Sequence, residues 1–192
     1  MENLNAVLHT IADNLEALRG KRSKIDWSIT IEDKIEGTVL DEYFDNTGLV
    51  KIKMDKHLNI EADFHIHKDG FQYIIDKDIE DSLKSRFMNF LNGINVPWCE
   101  ESYMVLLFLH EAGHVNAWRN AVDYDVMDEF NMINDIHVNT LSLAFKEKDR
   151  NDLREDGLNP ATYFCFDECQ ADIYAISHFY PIWNLLKERG LI

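Results

Sequence analysis

The sequence predicts an α+β fold in which an N-terminal helix and an antiparallel β-meander pack against a C-terminal helical half. Two patterns predict it: apolar residues alternate with polar ones through much of the first half, and they take helical spacing through the second. With 192 residues, of which 46% are hydrophobic, the chain is long enough to bury one substantial core. We therefore expect a single domain over residues 1–192, with the helix and sheet in 1–95 and the helical half in 96–192.

The individual elements follow from the same two periods. An amphipathic helix is expected over Leu4–Leu18, and a meander of about four or five strands should begin near Trp27 and end with Phe71–Ile75. Turn signals at Asn46–Gly48 and Lys68–Gly70 favour antiparallel neighbours. Further helices are expected over residues 82–91, 99–120, 125–148 and 166–179, with Pro181 ending or kinking the last of them.

Composition excludes several classes of function. The formal net charge of −16 repels phosphate backbones, which disfavours nucleic-acid binding. The longest strongly apolar stretch, Tyr103–Leu109, is too short for a membrane span, and the first residues lack the basic region of a secretory signal. Three cysteines do not suggest a disulfide framework and suit a reducing compartment, so we expect a soluble, cytoplasmic protein.

The strongest chemical signal comes from the segment His110-Glu111-Ala112-Gly113-His114. Histidines four residues apart on a helix point in nearly the same direction, so His110 and His114 can bind one cation. In a hydrolytic zinc site the histidines bind the metal and a glutamate accepts the proton of water. Glu111 flanks the two histidines and can take that second role. Random order would produce this pattern about 0.03 times in a chain of this composition, which disfavours chance. The alternative is a helix with two satisfied histidines and no metal.

A catalytic zinc needs a third protein ligand and an open position for water. The best candidate is Glu168, four residues before Asp172 on one face of a predicted helix. Glu168 would bind the metal, and Asp172 would accept the second ring N–H of a ligand histidine. Two alternatives stay open: both acids form the polar face of a surface helix, or Cys165 or Cys169 is the third ligand of a site that is structural or differently tuned.

The pattern H-E-x-x-H followed by E-x-x-x-D resembles the gluzincin metallopeptidases, including compact single-domain members such as the ImmA-type peptidases and minigluzincins. The resemblance covers about residues 100–175 by motif. It implies a zincin-like domain in which a sheet packs on the active-site helix and an edge strand aligns an extended peptide. It further implies that His110, His114 and Glu168 bind zinc, that Glu111 is the general base, and that Asp172 orients a ligand histidine.

Three other histidines carry weaker signals. His137 faces inward on a predicted helix and is a candidate for stabilising the oxyanion, although an inward histidine is more often a satisfied core residue. His65 and His67 share one face of a predicted strand and suggest a second metal site. Their neighbours Asp63 and Glu61 on the same face favour a solvated surface instead.

The functional hypothesis is a zinc-dependent metallopeptidase that holds one Zn²⁺ per chain and acts on a peptide or protein substrate, with Glu111 as general base. Two alternatives come from other classes. One is a non-catalytic, zinc-containing acidic protein that works as an interaction or inhibitor module. The other is a metal hydrolase that acts on a bond other than a peptide, because a ligand set does not select the bond.

Overall fold

The computed structural model of the protein describes residues 3–19, 24–32, 48–68, 82–146 and 166–192. These ranges contain five α-helices and three β-strands, which confirms the predicted α+β class. The helices are α1 (Leu4–Asp13), α2 (Ser82–Gly93), α3 (Glu100–Asp123), α4 (Met127–Lys146) and α5 (Phe166–Glu188). The strands are β1 (Ile25–Glu32), β2 (Gly48–Met54) and β3 (Ile60–His67). None of the described helices is long and apolar enough to span a membrane.

The three strands form a mixed sheet in the order β1-β3-β2. β3 is antiparallel to β2, with Val50 opposite Phe64, but it is parallel to β1, with Ile25 opposite Ile60. The predicted antiparallel pairing is thus confirmed for β2 and β3, but the meander is wrong in strand order, since a meander would place β2 in the centre, and in the direction of β1 relative to β3. The predicted strand Phe71–Ile75 lies outside the described residues.

Burial explains why β3 takes the central position. Its inward side chains are at most 1% exposed: Ile60, Ala62, Phe64 and Ile66. The inward side chains of β1 and β2 are only partly buried. A strand whose inward side chains are the most completely buried gains the most hydrophobic stabilisation when another strand lies on each side of it. The two-residue period reveals that each strand has one buried face, but it contains no information about which strands are neighbours.

A five-residue loop, 55–59, joins β2 to β3, and Asp55 organises it. Its carboxylate accepts hydrogen bonds from the backbone N–H groups of His57 and Asn59, at 2.7 and 2.9 Å. Leu58 has a positive φ of 62° there and is 46% exposed, so it belongs to the turn although its side chain is apolar. The Asx turn therefore sets where β3 begins.

Helix α3 is the centre of the molecule. Every residue from Ser102 to Gly113 is buried, as the apolar sequence of this segment predicts. The helix begins after Cys99, whose backbone N–H donates to the Ser102 hydroxyl at 3.0 Å, and Glu100 and Glu101 in its first turn oppose the helix dipole. β3 packs on α3 through Phe64 and Phe108, whose ring centroids are 4.8 Å apart. The histidine motif thus lies on a rigid, packed element.

Helix α5 lies against α3 at a very short distance. A Cβ atom added to Gly113 would come within 2.6 Å of the Ala171 Cα and 3.1 Å of the Tyr174 Cβ. Only glycine in α3 and a small residue in α5 permit this approach. The contact brings the first turns of α5 beside the histidine motif.

α5 also continues through Pro181 to Glu188, so the prediction that it ends near Phe179 is wrong. The last part of the helix is held in the core by Phe179, Ile182, Trp183 and Leu186, all of which are at most 5% exposed. Burial of this apolar face outweighs the backbone hydrogen bond that proline removes.

We expect Gly113→Ala to lower the free energy of unfolding by about 1–3 kcal/mol, because the new methyl group would overlap backbone atoms of Ala171. Denaturant titration followed by circular dichroism measures the change. Gly93→Ala is the matched control, since a Cβ there meets nothing within 4 Å. Equal unfolding midpoints for Gly113→Ala and the wild type would contradict the close approach of the two helices.

Candidate metal centre

His110 and His114 lie one turn apart on α3 and face the same way. Their ring centroids are 4.9 Å apart and their planes are nearly perpendicular, at 88°. His110 is 5% exposed and packs edge-on to Phe87 of α2, with 6.5 Å between the ring centroids. The helical spacing of the motif therefore brings two imidazoles to one point, as predicted.

Glu168, in the first turn of α5, completes this cluster. Its Oε2 lies 3.1 Å from His110 Nε2 and its Oε1 lies 3.6 Å from His114 Nε2. The ligand atoms of all three residues lie within 4.8 Å of one another, and they form a group that can hold a metal ion. The cluster joins two helices, and Glu168 follows His114 by 54 positions in the sequence.

Asp172, one turn further along α5, contacts the other side of the His110 ring. Its Oδ1 is 3.0 Å from His110 Nδ1, and it is only 8% exposed. A carboxylate in this position accepts the Nδ1–H and so leaves Nε2 as the free nitrogen of the neutral ring. The predicted contact between Asp172 and a histidine of the motif is thus present.

The distances and donor types fit a small divalent cation. With Nδ1–H donated to Asp172, the Nε2 lone pair of His110 faces the Glu168 carboxylate, and two acceptors repel unless a proton or a cation lies between them. Ligand atoms about 2.0–2.2 Å from a tetrahedral zinc lie roughly 3.3–3.6 Å apart. The distance of 3.6 Å between His114 and Glu168 lies at the upper end of this range, and the distance of 3.1 Å between His110 and Glu168 lies slightly below it.

Electrostatics around His110 favour positive charge. Burial alone lowers the pKa of its imidazole, but hydrogen bonds to Asp172 and Glu168 and the charges of Glu111 and Glu168 outweigh burial and raise that pKa to about 10. The surrounding carboxylates that hold a proton on the imidazole are the groups that would stabilise a metal ion there.

Glu111 lies beside the cluster without joining it. It is 8% exposed, and its Oε2 accepts a hydrogen bond of 2.9 Å from the backbone N–H of Val50 in β2. Burial raises the pKa of this carboxyl, while the neighbouring His110 and His114 and the Val50 hydrogen bond act in the opposite direction. One carboxylate oxygen is thus fixed by the sheet.

Sequence reasoning missed the role of Val50. A backbone donor carries no side-chain signal, and the contact spans 61 positions of the chain. The only available hint was the general expectation that a strand packs along the motif helix.

The side chains of two of the weaker sequence candidates lie outside the described residues, and that of a third is described. His137 belongs to α4 by its backbone, but its side chain, like the whole of Cys165, lies outside the described residues. Cys169 is described and half-buried, and it is not part of the group of ligand atoms formed by the two histidines and Glu168.

The histidine pair on β3 differs from its sequence interpretation. The side chains of His65 and His67 are only 17% and 12% exposed, so the expectation of a solvated surface is wrong for both rings. Asp63 keeps 38% exposure beside them and accepts a hydrogen bond of 2.6 Å from the Ser28 hydroxyl, which lowers the pKa of its carboxyl.

Comparisons of the chain with protein-family models, with curated proteins and with solved structures gave no match. The geometry of the site therefore has to carry any functional conclusion.

We expect Asp172→Asn to weaken metal binding by about 10–100-fold, because an asparagine does not supply the carboxylate that holds His110 Nδ1–H and raises the basicity of the ring. Zinc affinity measured by competition with a chromogenic chelator tests this. Asp128→Asn is the control, because Asp128 is exposed in the first turn of α4 and does not belong to the ligand group. Equal affinities of both variants and the wild type would show that the contact does not orient a ligand.

Proposed function

We propose that the protein is a zinc-dependent peptidase of the gluzincin type, in which one Zn²⁺ is bound by His110, His114 and Glu168. The observation that carries the proposal is the three-donor cluster with a buried glutamate, Glu111, beside it and outside the ligand set. Three protein ligands leave a tetrahedral metal with one open position, which distinguishes a catalytic from a structural zinc site.

A zinc ion there would supply a Lewis acid that activates water and polarises the carbonyl group of a bound peptide. Glu111 is the general base. Its Oε2 is engaged by Val50, which leaves Oε1 to accept the proton of the attacking water. A carboxyl whose pKa is raised by burial is a stronger base than an exposed one.

The proton then returns to the substrate. As the water oxygen bonds to the peptide carbon, its proton moves to Glu111; as the carbon–nitrogen bond breaks, Glu111 gives that proton to the departing amine. The products are a carboxylic acid and an amine, and the carboxylate of Glu111 is restored.

The sheet supports a peptide as the substrate. Among the described strands β2 has a partner on one side only, β3, and the Val50 N–H on its other side points at Glu111. An extended peptide can add to such an edge by backbone hydrogen bonds, which would place its scissile bond beside the general base. This arrangement is the one that the gluzincin resemblance implies.

We expect the purified protein to contain about one zinc per chain. Elemental mass spectrometry should find this zinc lost or strongly reduced in the variants His110→Ala, His114→Ala and Glu168→Ala, since each removes a ligand. His57→Ala, on the exposed loop between β2 and β3, is the matched histidine control and should keep its zinc. Protein without zinc after reconstitution with excess metal would overturn the proposal.

We expect Glu111→Gln to retain zinc and to lose about 10²–10⁴-fold in cleavage rate, because an amide accepts the Val50 hydrogen bond but cannot accept the proton of water. A proteome-derived peptide library, scored by mass spectrometry for new termini, provides the substrates. Glu188→Gln, at the exposed end of α5, should cleave like the wild type.

The outcomes separate the alternatives. Undiminished cleavage by Glu111→Gln would contradict the base assignment. A zinc-loaded wild type that cleaves nothing in the library would overturn the peptidase proposal and would favour hydrolysis of another bond or a non-catalytic acidic interaction protein.

A further inference from the structure

A second group of histidines and carboxylates lies on the outer face of the sheet, where the parallel strands β1 and β3 end together. Glu32 is opposite His67 in the register of these strands, and Thr30 is opposite His65. The side chains of Glu32, Asp63, His65 and His67 alternate with the buried rows of both strands and therefore share the face turned away from α3. They lie on the opposite face of the sheet from the side chains that pack on the helix of the first centre.

Glu32 lies between the two histidines. Its Oε2 is 3.5 Å from His67 Nδ1, and its Oε1 is 4.0 Å from His65 Nδ1. The Nδ1 atom of His67 is buried and makes no hydrogen bond within the described part of the chain. A buried imidazole nitrogen without a hydrogen bond costs free energy unless another group satisfies it.

Asp63 orients His65 in the way that Asp172 orients His110. Its Oδ2 lies 3.0 Å from His65 Nε2, and its Oδ1 is fixed by the Ser28 hydroxyl at 2.6 Å. With the Nε2–H donated to Asp63, the Nδ1 lone pair of His65 points toward Glu32. Glu32 thus has a carboxylate oxygen near a ring nitrogen of each histidine, and a second carboxylate lies behind the His65 ring. Two imidazoles, a carboxylate and an orienting acid are the donor types of a transition-metal site.

We propose that Glu32, His65 and His67 form a second metal site for a divalent transition metal such as zinc, with Asp63 orienting His65. The donors are spaced more widely than in the first centre: the nitrogen–oxygen distances are 3.5 and 4.0 Å against 3.1 and 3.6 Å, and the three ligand atoms do not all lie within 4.8 Å of one another. Binding therefore requires the side chains to move together and is weaker than at the first centre. A bound cation would tie β1 to β3 at the ends of both strands. It would also satisfy the buried nitrogen of His67.

Zinc titration of the metal-depleted full-length protein tests the site. We expect two classes of binding in the wild type: one tight ion and one that binds more weakly by at least about tenfold. His67→Asn and Glu32→Gln should each weaken the second class by at least about tenfold and leave the first unchanged. His57→Asn, an identical change at an exposed histidine of the loop between β2 and β3, should keep both classes.

The ring nitrogens give a direct readout that does not depend on the variants. In a ¹⁵N spectrum of the histidine rings, zinc added beyond the first equivalent should shift the Nδ1 resonances of His65 and His67 and leave that of His57 in place. A second binding class that persists unchanged in both variants, or its absence from the wild type, would overturn the proposal. Failure of the first centre is distinguishable, because Glu168→Ala removes only the tight class.

Discussion

The contact between Gly113 of α3 and Ala171 of α5 is the constraint on which the candidate centre depends. It lets two helix backbones approach until a β-carbon no longer fits between them. At that separation Glu168, three residues before Ala171, reaches both His110 and His114, and Asp172, the residue after Ala171, reaches His110. A larger side chain at either position would move Glu168 away from both imidazoles, because the helices are rigid and the interior has no spare volume.

The same close approach brings several buried carboxylates together, and their mutual repulsion is relieved only by a cation or a proton. Glu111, Asp172 and His110 are each less than a tenth exposed, and Glu168 adds a further carboxylate beside them. Buried carboxylates are costly unless they are paired and hydrogen-bonded. The hydrogen bond from Val50 and the contacts with the two imidazoles offset part of that cost. Burial of these acids therefore lowers the stability of the folded protein, but it forms a preorganised, negatively charged pocket. Such a pocket is expected of a site that binds a positive ion.

The sheet contributes to the centre through its backbone more than through its side chains. β3 packs on α3 by Phe64 against Phe108 and so places β2 alongside the motif helix. From there the N–H of Val50 reaches Glu111. On the opposite face of the sheet, a carboxylate again lies behind a histidine ring, in Asp63 and His65. Both faces thus use acids to select the ring nitrogen that remains available.

The sequence by itself determined the local features: the α+β class, the buried helix that carries the motif, and the shared direction of His110 and His114. These follow from residues within a few positions of one another, where the helical and strand periods fix geometry. It also identified Glu168 and Asp172 as partners, because their own four-residue spacing matches that of the motif.

Only the tertiary structure decided the order and direction of the strands, the contact of Val50 with Glu111, and the burial of His65 and His67. Each depends on groups far apart in the chain; the Val50 contact spans 61 positions and the Asp172 contact 62. Periodicity states that a side chain is turned inward or outward, but it does not state what lies there. The groups that a side chain meets depend on which elements pack together. In this protein Gly113, at the contact between α3 and α5, allows the two helices to approach closely enough for their side chains to meet.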